Sequence, residues 1–183
     1  IAEAMTRWLA PILSFTAEEI WRYLPGERAE SVFLETWTRF PAGPLDDSGI
    51  DWPRVLEARS AVLRELEKLR VAGAIGAPLD AVVELYGTPT WRDALAPLGD
   101  ELRFVLITSE ARVHALEAKP ADAVPADAEG QAGLWLSVRP SAAPKCVRCW
   151  HKREDVGSVA GHEEICARCA GNLAGPGEAR RCA

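Results

Sequence analysis

Two cysteine pairs near one end of the chain carry the most specific chemistry in the sequence. In KCVRCWHKREDVG, residues 145–157, Cys146 and Cys149 stand two residues apart, and CARC repeats that spacing at Cys166 and Cys169 after sixteen intervening residues. A two-residue loop turns both of its sulfurs to one side, and two such loops complete a tetrahedron, the donor set of a structural Zn2+. Two disulfides or a redox dithiol are the other chemistries open to four cysteines. Disulfides need an oxidising compartment that nothing in the sequence indicates, and a redox dithiol needs only one pair. The expectation is therefore one structural Zn2+ held by Cys146, Cys149, Cys166 and Cys169. Four thiolates close the shell, which leaves no position for water or substrate and excludes hydrolysis at the metal. His151 and His162 then read as surface groups or as groups behind the ligands, and Cys182 as a free thiol. Arg148, Trp150, Lys152 and Arg153 surround the first pair and require an explanation other than catalysis.

A segment of about forty residues with few apolar side chains buries too little surface to fold alone, so folding and metal binding are expected to be one event there. The remainder of the 183-residue chain, with 48% hydrophobic and 26% charged residues, has the mixture of an ordinary globular protein. No apolar run reaches the roughly eighteen residues of a membrane span, and no signal-peptide pattern opens the chain, so the expected location is the cytoplasm, with no membrane partner. The chain starts inside a helical pattern without methionine, which reads as a piece of a longer protein. Net charge is −6, unevenly placed: residues 141–183 hold seven Lys/Arg against five Asp/Glu, and residues 1–140 fourteen against twenty-two. Charge alone neither requires nor excludes a nucleic-acid partner.

Ile1, Met5, Trp8, Leu9, Ile12 and Leu13 fall on one helical stripe that Pro11 should kink or end. Thr16 and Glu19 have capping-box spacing for a second helix with Ile20, Trp21 and Leu24, stopped at Pro25-Gly26. SVFLETW reads as extended and is followed by a Pro/Gly/Asp loop. Pro53 then opens a longer helix with Val55, Val62, Leu66 and Leu69 on one face, ending near Gly73. The alternation in LDAVVELY predicts a half-buried strand, Thr90 and Asp93 can cap a helix, and FVLIT and LWLSV read as further strands. The Ala/Pro-rich stretch between those two suits a surface loop or hinge. The expected fold is α+β, with a helical unit over residues 1–76, a small α/β connecting unit over 77–140 and a four-cysteine zinc module over 141–183.

KCVRCWHKREDVG, followed by HEEICARCAGNLAGPGEARRCA, resembles the C-terminal zinc module of bacterial isoleucyl-tRNA synthetases. LAPILSFTAEEIWRYLPG, SVFLETW, IGAPLDAVVELY and LGDELRFVLITSEARV are similar, in order, to the anticodon-binding helices and connecting region of that family. The resemblance breaks off in the Ala/Pro-rich stretch. It implies that residues 1–76 are the C-terminal portion of the helical anticodon-binding domain. It also implies a parent that couples ATP-dependent isoleucine activation, with Mg2+, to tRNA charging. That parent is a monomer whose catalytic and editing domains lie outside this segment, so the segment alone is catalytically inactive. The partner implied is the anticodon arm of tRNA(Ile), with Arg148 and Trp150 the best placed to touch it and Lys152 and Arg153 beside them. Loop bases are read by stacking on aromatic or guanidinium planes, and a tryptophan fixed at a zinc knuckle is preorganised for that. Alternatively Trp150 covers the metal site and Arg148 is merely solvated. Two other readings are a formamidopyrimidine-type DNA glycosylase zinc finger, whose basic loop would here carry four carboxylates, and a zinc-stapled protein-interaction module.

Overall fold

The computed structural model describes residues 1–39, 49–127, 130 and 132–182, which fall into two compact units, Ile1–Asp47 and Ser48–Ala183. The expected Pro/Gly/Asp loop lies almost wholly outside the described residues.

In the first unit, helices α1 (Ala2–Leu9) and α2 (Ser14–Tyr23) flank a turn at Pro11. The second helix does not start from a Thr16/Glu19 capping box; Thr16 lies inside it. The helix follows directly on the turn, with Leu13 N donating to Leu9 O and Ala17 N to Leu13 O, and no side chain caps its start. Trp21 centres a small core with Ala10, Ala17 and Val32. Its indole N–H donates to Ala29 O at 2.8 Å, and the guanidinium groups of Arg28 and Arg7 stand 4.9 and 5.5 Å from its ring. SVFLETW is not extended throughout: Val32–Leu34 is a 3-10 turn started by Ser31 Oγ, which accepts from Phe33 N. The stripe Ile1, Met5, Trp8 and Ile12 is exposed, so Trp8 is not core.

The second unit begins with α3 (Trp52–Val71), capped by Asp51 Oδ1 accepting from Arg54 N at 3.2 Å and carrying Pro53 in its first turn. Gly73, at φ 72°, ends it, and Lys68 and Arg70 pair with Glu65 and Glu67. The buried face of α3 packs on a four-stranded sheet together with α4 (Pro89–Leu95) and α5 (Leu102–Leu106). This helix, grouped from sequence with residues 1–76, thus finds its core in the second unit. The strands are β1 (Ala81–Gly87), β2 (Glu110–Ala115), β3 (Val124–Pro125) and β4 (Leu134–Pro140), in spatial order β2-β1-β4-β3. The β1–β2 pair is parallel, and β4 runs antiparallel to β1 and β3.

A parallel neighbour requires a crossover, and this explains why the apolar run before β2 is helical. FVLIT is not a strand: its first residues belong to α5, and Ile107 at φ 58° ends the helix before β2 begins. A five-residue apolar run fits a buried strand or a buried helical turn equally well. The Ala/Pro-rich stretch contributes more than a loop, since it buries Ala123 and Ala126 and adds the edge strand β3. A strand of two residues containing Pro125 suits a sheet edge.

Candidate metal centre

After β4, Ser141 N donates to Asp80 O at 2.7 Å and the chain enters the cysteine-rich segment beside the end of the sheet. The first knuckle is closed by backbone bonds: Trp150 N donates to Cys146 O and Cys146 N to His151 O, each at 2.9 Å, while Lys145 and Lys152 form an isolated antiparallel bridge. The second pair straddles a helix start, with Cys166 as the N-cap of α6 (Ala167–Ala174) and Cys169 in its first turn. Val147 N donates to Glu164 O, and Cys166 N to Cys146 Sγ at 3.4 Å, which brings the two pairs together. Gly157, at φ 78°, allows the loop between them to close, because a Cβ there would lie 2.8 Å from Glu163 O.

The four sulfurs lie within 4.8 Å of one another; Cys146, Cys166 and Cys169 are buried and Cys149 is half-buried, with Ile165, Val156 and Val159 packed around them. Zn–S bonds of about 2.3 Å at tetrahedral angles place sulfurs roughly 3.8 Å apart. Cys149 Sγ and Cys166 Sγ are 3.8 Å apart. The donor set therefore fits a closed four-thiolate zinc site. Burial opposes ionisation of Cys146, but the backbone N–H groups of Cys149, Cys166 and Arg148 outweigh it and bring its pKa down to about 6. Burial pushes Cys166 up to about 12 and raises Cys169 as well. Without a cation the cluster thus retains protons, which a divalent ion must displace.

Two guanidinium groups face the sulfurs. Arg148 Nη1 donates to Cys169 Sγ at 3.6 Å, and Arg168, close to the Cys149 sulfur, donates from Nη1 to the Glu178 carboxylate at 2.9 Å. Burial by itself would lower the pKa of Arg168; those two partners raise it instead. Neither His151 nor His162 joins the sulfurs among the described residues. His151 is buried, donates from Nδ1 to Cys149 O at 3.2 Å, and meets the Phe104 ring edge-on at 5.7 Å. Burial, with Arg168, Arg103 and Arg153 nearby, lowers its pKa and keeps it neutral behind the cluster.

The four residues expected beside the first pair do not share one environment. Trp150 is 61% exposed and has φ 66°, a left-handed conformation that a bulky L-residue rarely adopts. Arg148 is exposed on the same knuckle. Lys152 is half-buried: its backbone N donates to Ser109 Oγ at 2.6 Å and its Nζ to Ser141 O at 3.1 Å. Arg153 is also half-buried, its Nε 3.9 Å from Asp155 Oδ1. Lys152 and Arg153 open instead into a cleft of about 320 Å³ shared with Arg112 of β2 and Arg139 of β4. Sequence reasoning passed over those two arginines. The signal was the alternation Trp135, Ser137, Arg139 in β4, whose odd positions face away from the core.

Residues 1–85 match the family described as anticodon-binding domain of tRNA ligase, and residues 144–171 match the zinc finger found in FPG and IleRS. Among curated proteins, the isoleucine–tRNA ligase of Halorhodospira halophila is 54% identical over 183 residues, that of Nitrosococcus oceani 53% over 185 and that of Methylococcus capsulatus 54% over 183. Each alignment takes in 98% of this chain and 19% of the relative, so the chain spans about a fifth of the length of the proteins it matches. With the four-sulfur cluster inside the zinc-finger match and the helices inside the anticodon-binding match, the chain belongs to the isoleucine–tRNA ligase family and corresponds to the C-terminal part of its bacterial members.

Proposed function

We propose that this chain supplies tRNA recognition to an isoleucine–tRNA ligase whose ATP- and Mg2+-dependent activation of isoleucine is carried out by parts of the protein outside the segment. One structural Zn2+ is held by Cys146, Cys149, Cys166 and Cys169, and the anticodon arm of tRNA(Ile) is met by Arg148 and Trp150, with Lys152 and Arg153 on the adjoining phosphates. The zinc supplies no chemistry beyond crosslinking the two knuckles. In this reading residues 1–76 serve with the anticodon-binding helices, 77–140 connect and 141–183 present the knuckle, a division by role that leaves α3 packed on the sheet. The parent acts as a cytoplasmic monomer. A glycosylase finger is not favoured, because the resemblance to ligases runs through the whole chain and not the finger alone.

The observation that carries the proposal is the conformation of Trp150. An indole held at positive φ costs of order 1 kcal/mol relative to glycine, and such strain persists where the side chain has a use. At 61% exposure the ring does little to cover the metal site, which is closed by Ile165, Val156 and Val159. In the full-length ligase, Trp150→Ala should weaken tRNA(Ile) binding or charging by about ten- to a hundredfold, the worth of roughly one stacked base, with isoleucyl-adenylate formation unchanged. Trp150→Gly should lose tRNA equally while keeping zinc and gaining thermal stability, since glycine accepts the left-handed backbone without strain. Wild-type charging by either zinc-loaded variant would make Trp150 a packing residue.

A further inference from the structure

One face of the sheet packs on α3, α4 and α5 through Ala81, Val83, Leu85, Leu134 and Leu136. The opposite face is ordered in rows by the strand register. His114, Tyr86, Trp135 and Pro125 are directly paired neighbours across all four strands. The Tyr86 and His114 rings stack at 5.1 Å with 24° between their planes, and Lys119 Nζ sits 4.0 Å from the centre of the Trp135 ring. In the next row, Glu84 lies between Arg112, 2.9 Å away, and Ser137, and its carboxylate also meets His114 Nε2 at 2.6 Å and Arg139 at 3.7 Å. The third row, Glu110, Val82 and Arg139, opens into the cleft shared with Lys152 and Arg153. Four cations line that cleft against three carboxylates, of which Glu110 is paired with Arg112 and Asp155 with Arg153.

We infer that this outer sheet face and the cleft at its end form a second contact for the RNA strand met by the zinc knuckle, with phosphates in the cleft at Arg139, Lys152 and Arg153 and unstacked bases against the Tyr86–Trp135 row. The inference rests on the tRNA reading above and extends it to residues of the sheet. Two kinds of complementarity meet on this one surface. An acidic peptide would answer the cations and leave the rings unused, and an apolar segment would answer the rings and strand the cations. A single strand of nucleic acid carries both anionic backbone and π-faces. Trp135 and Arg139 are four steps apart along β4, about 13 Å at strand rise, which keeps the base row and the phosphate cleft distinct.

Binding of a labelled tRNA(Ile) transcript to the full-length ligase, followed over a series of KCl concentrations, tests this. Arg139→Gln should weaken binding and make the slope of log K against log salt shallower by about 0.7–0.9, the signature of one lost phosphate contact. Trp135→Leu should weaken binding about tenfold at an unchanged slope, and Trp135→Phe should restore most of it. A purely structural tryptophan would instead lower the thermal midpoint in Leu and Phe variants alike and leave the affinity of the folded protein unmoved, which overturns the inference. Unchanged affinity and slope in both Arg139→Gln and Trp135→Leu, with Trp150→Ala still defective, would assign this face to another part of the protein and leave the zinc-knuckle reading standing. Unchanged binding in all three would end both.

Discussion

At the scale of single residues, the four clustered cysteines are distinguished from the fifth by what surrounds them. Cys146, Cys149, Cys166 and Cys169 converge, whereas Cys182 lies against the sheet core near Pro97 and its backbone N donates to Glu101 at 2.7 Å. Zinc analysis of purified variants should show stoichiometric metal in Cys182→Ser and its loss in Cys166→Ser; metal retained in Cys166→Ser would remove that residue from the shell. The sulfur set was legible because two-residue spacing acts through local geometry alone. The left-handed backbone of Trp150 was not, since a tryptophan codes for no such conformation and only the closure of the knuckle onto Cys146 O imposes it. Nor could sequence show that Lys152 directs its ammonium to Ser141 O, because that bond joins segments brought together by the sheet.

At the scale of elements, the long periodic helix and the alternating strands were readable, whereas the capping signals at Thr16 and Thr90 and the type of the apolar run FVLIT were not. Pro53 and the stripe through Val62 and Leu66 define α3 from local signals, as alternation defines β1 and β4. The type of α5 is decided by topology: with β1 and β2 parallel, the intervening chain must cross the face of the sheet, and its apolar residues serve a helical turn. The outer aromatic row is likewise a product of register between strands far apart in sequence. The core-facing side of β1 sets the stability of the second unit. Leu85→Ala, at a fully buried site on the central strand, should cost about 2–5 kcal/mol in denaturant unfolding. Leu56→Ala on the exposed side of α3 should stay within about 0.5 kcal/mol, and equal losses at the two sites would contradict the placement of the core.

At the scale of the whole molecule, the metal segment and the sheet share one compact unit but not one source of stability. The sheet has its own apolar core, while the segment around the cysteines has little besides Ile165, Val156 and Val159. Ser109 couples them through a single hydroxyl, which donates to Leu79 O and accepts from Lys152 N. Chelation should therefore unfold the metal segment and spare the sheet. Limited proteolysis after zinc removal is expected to cut within residues 146–170 and leave residues 52–127 protected; cleavage throughout, or no new cleavage, would show that the two are not separable in this way.

The position of β1 in the sheet has a consequence in time. It pairs with β2 on one edge and with β4 on the other, and both lie later in the chain. During synthesis at about 5–20 residues per second, the roughly fifty residues from the end of β1 to the end of β4 take on the order of 3 to 10 s to emerge. Throughout that interval the most apolar strand of the protein presents an unpaired edge, the condition under which nascent chains join to one another. Glu84 interrupts the apolar run at its midpoint, and its three side-chain partners, Arg112, His114 and Arg139, are all made after it. Until they arrive the carboxylate is uncompensated and repels a second nascent copy of the same strand.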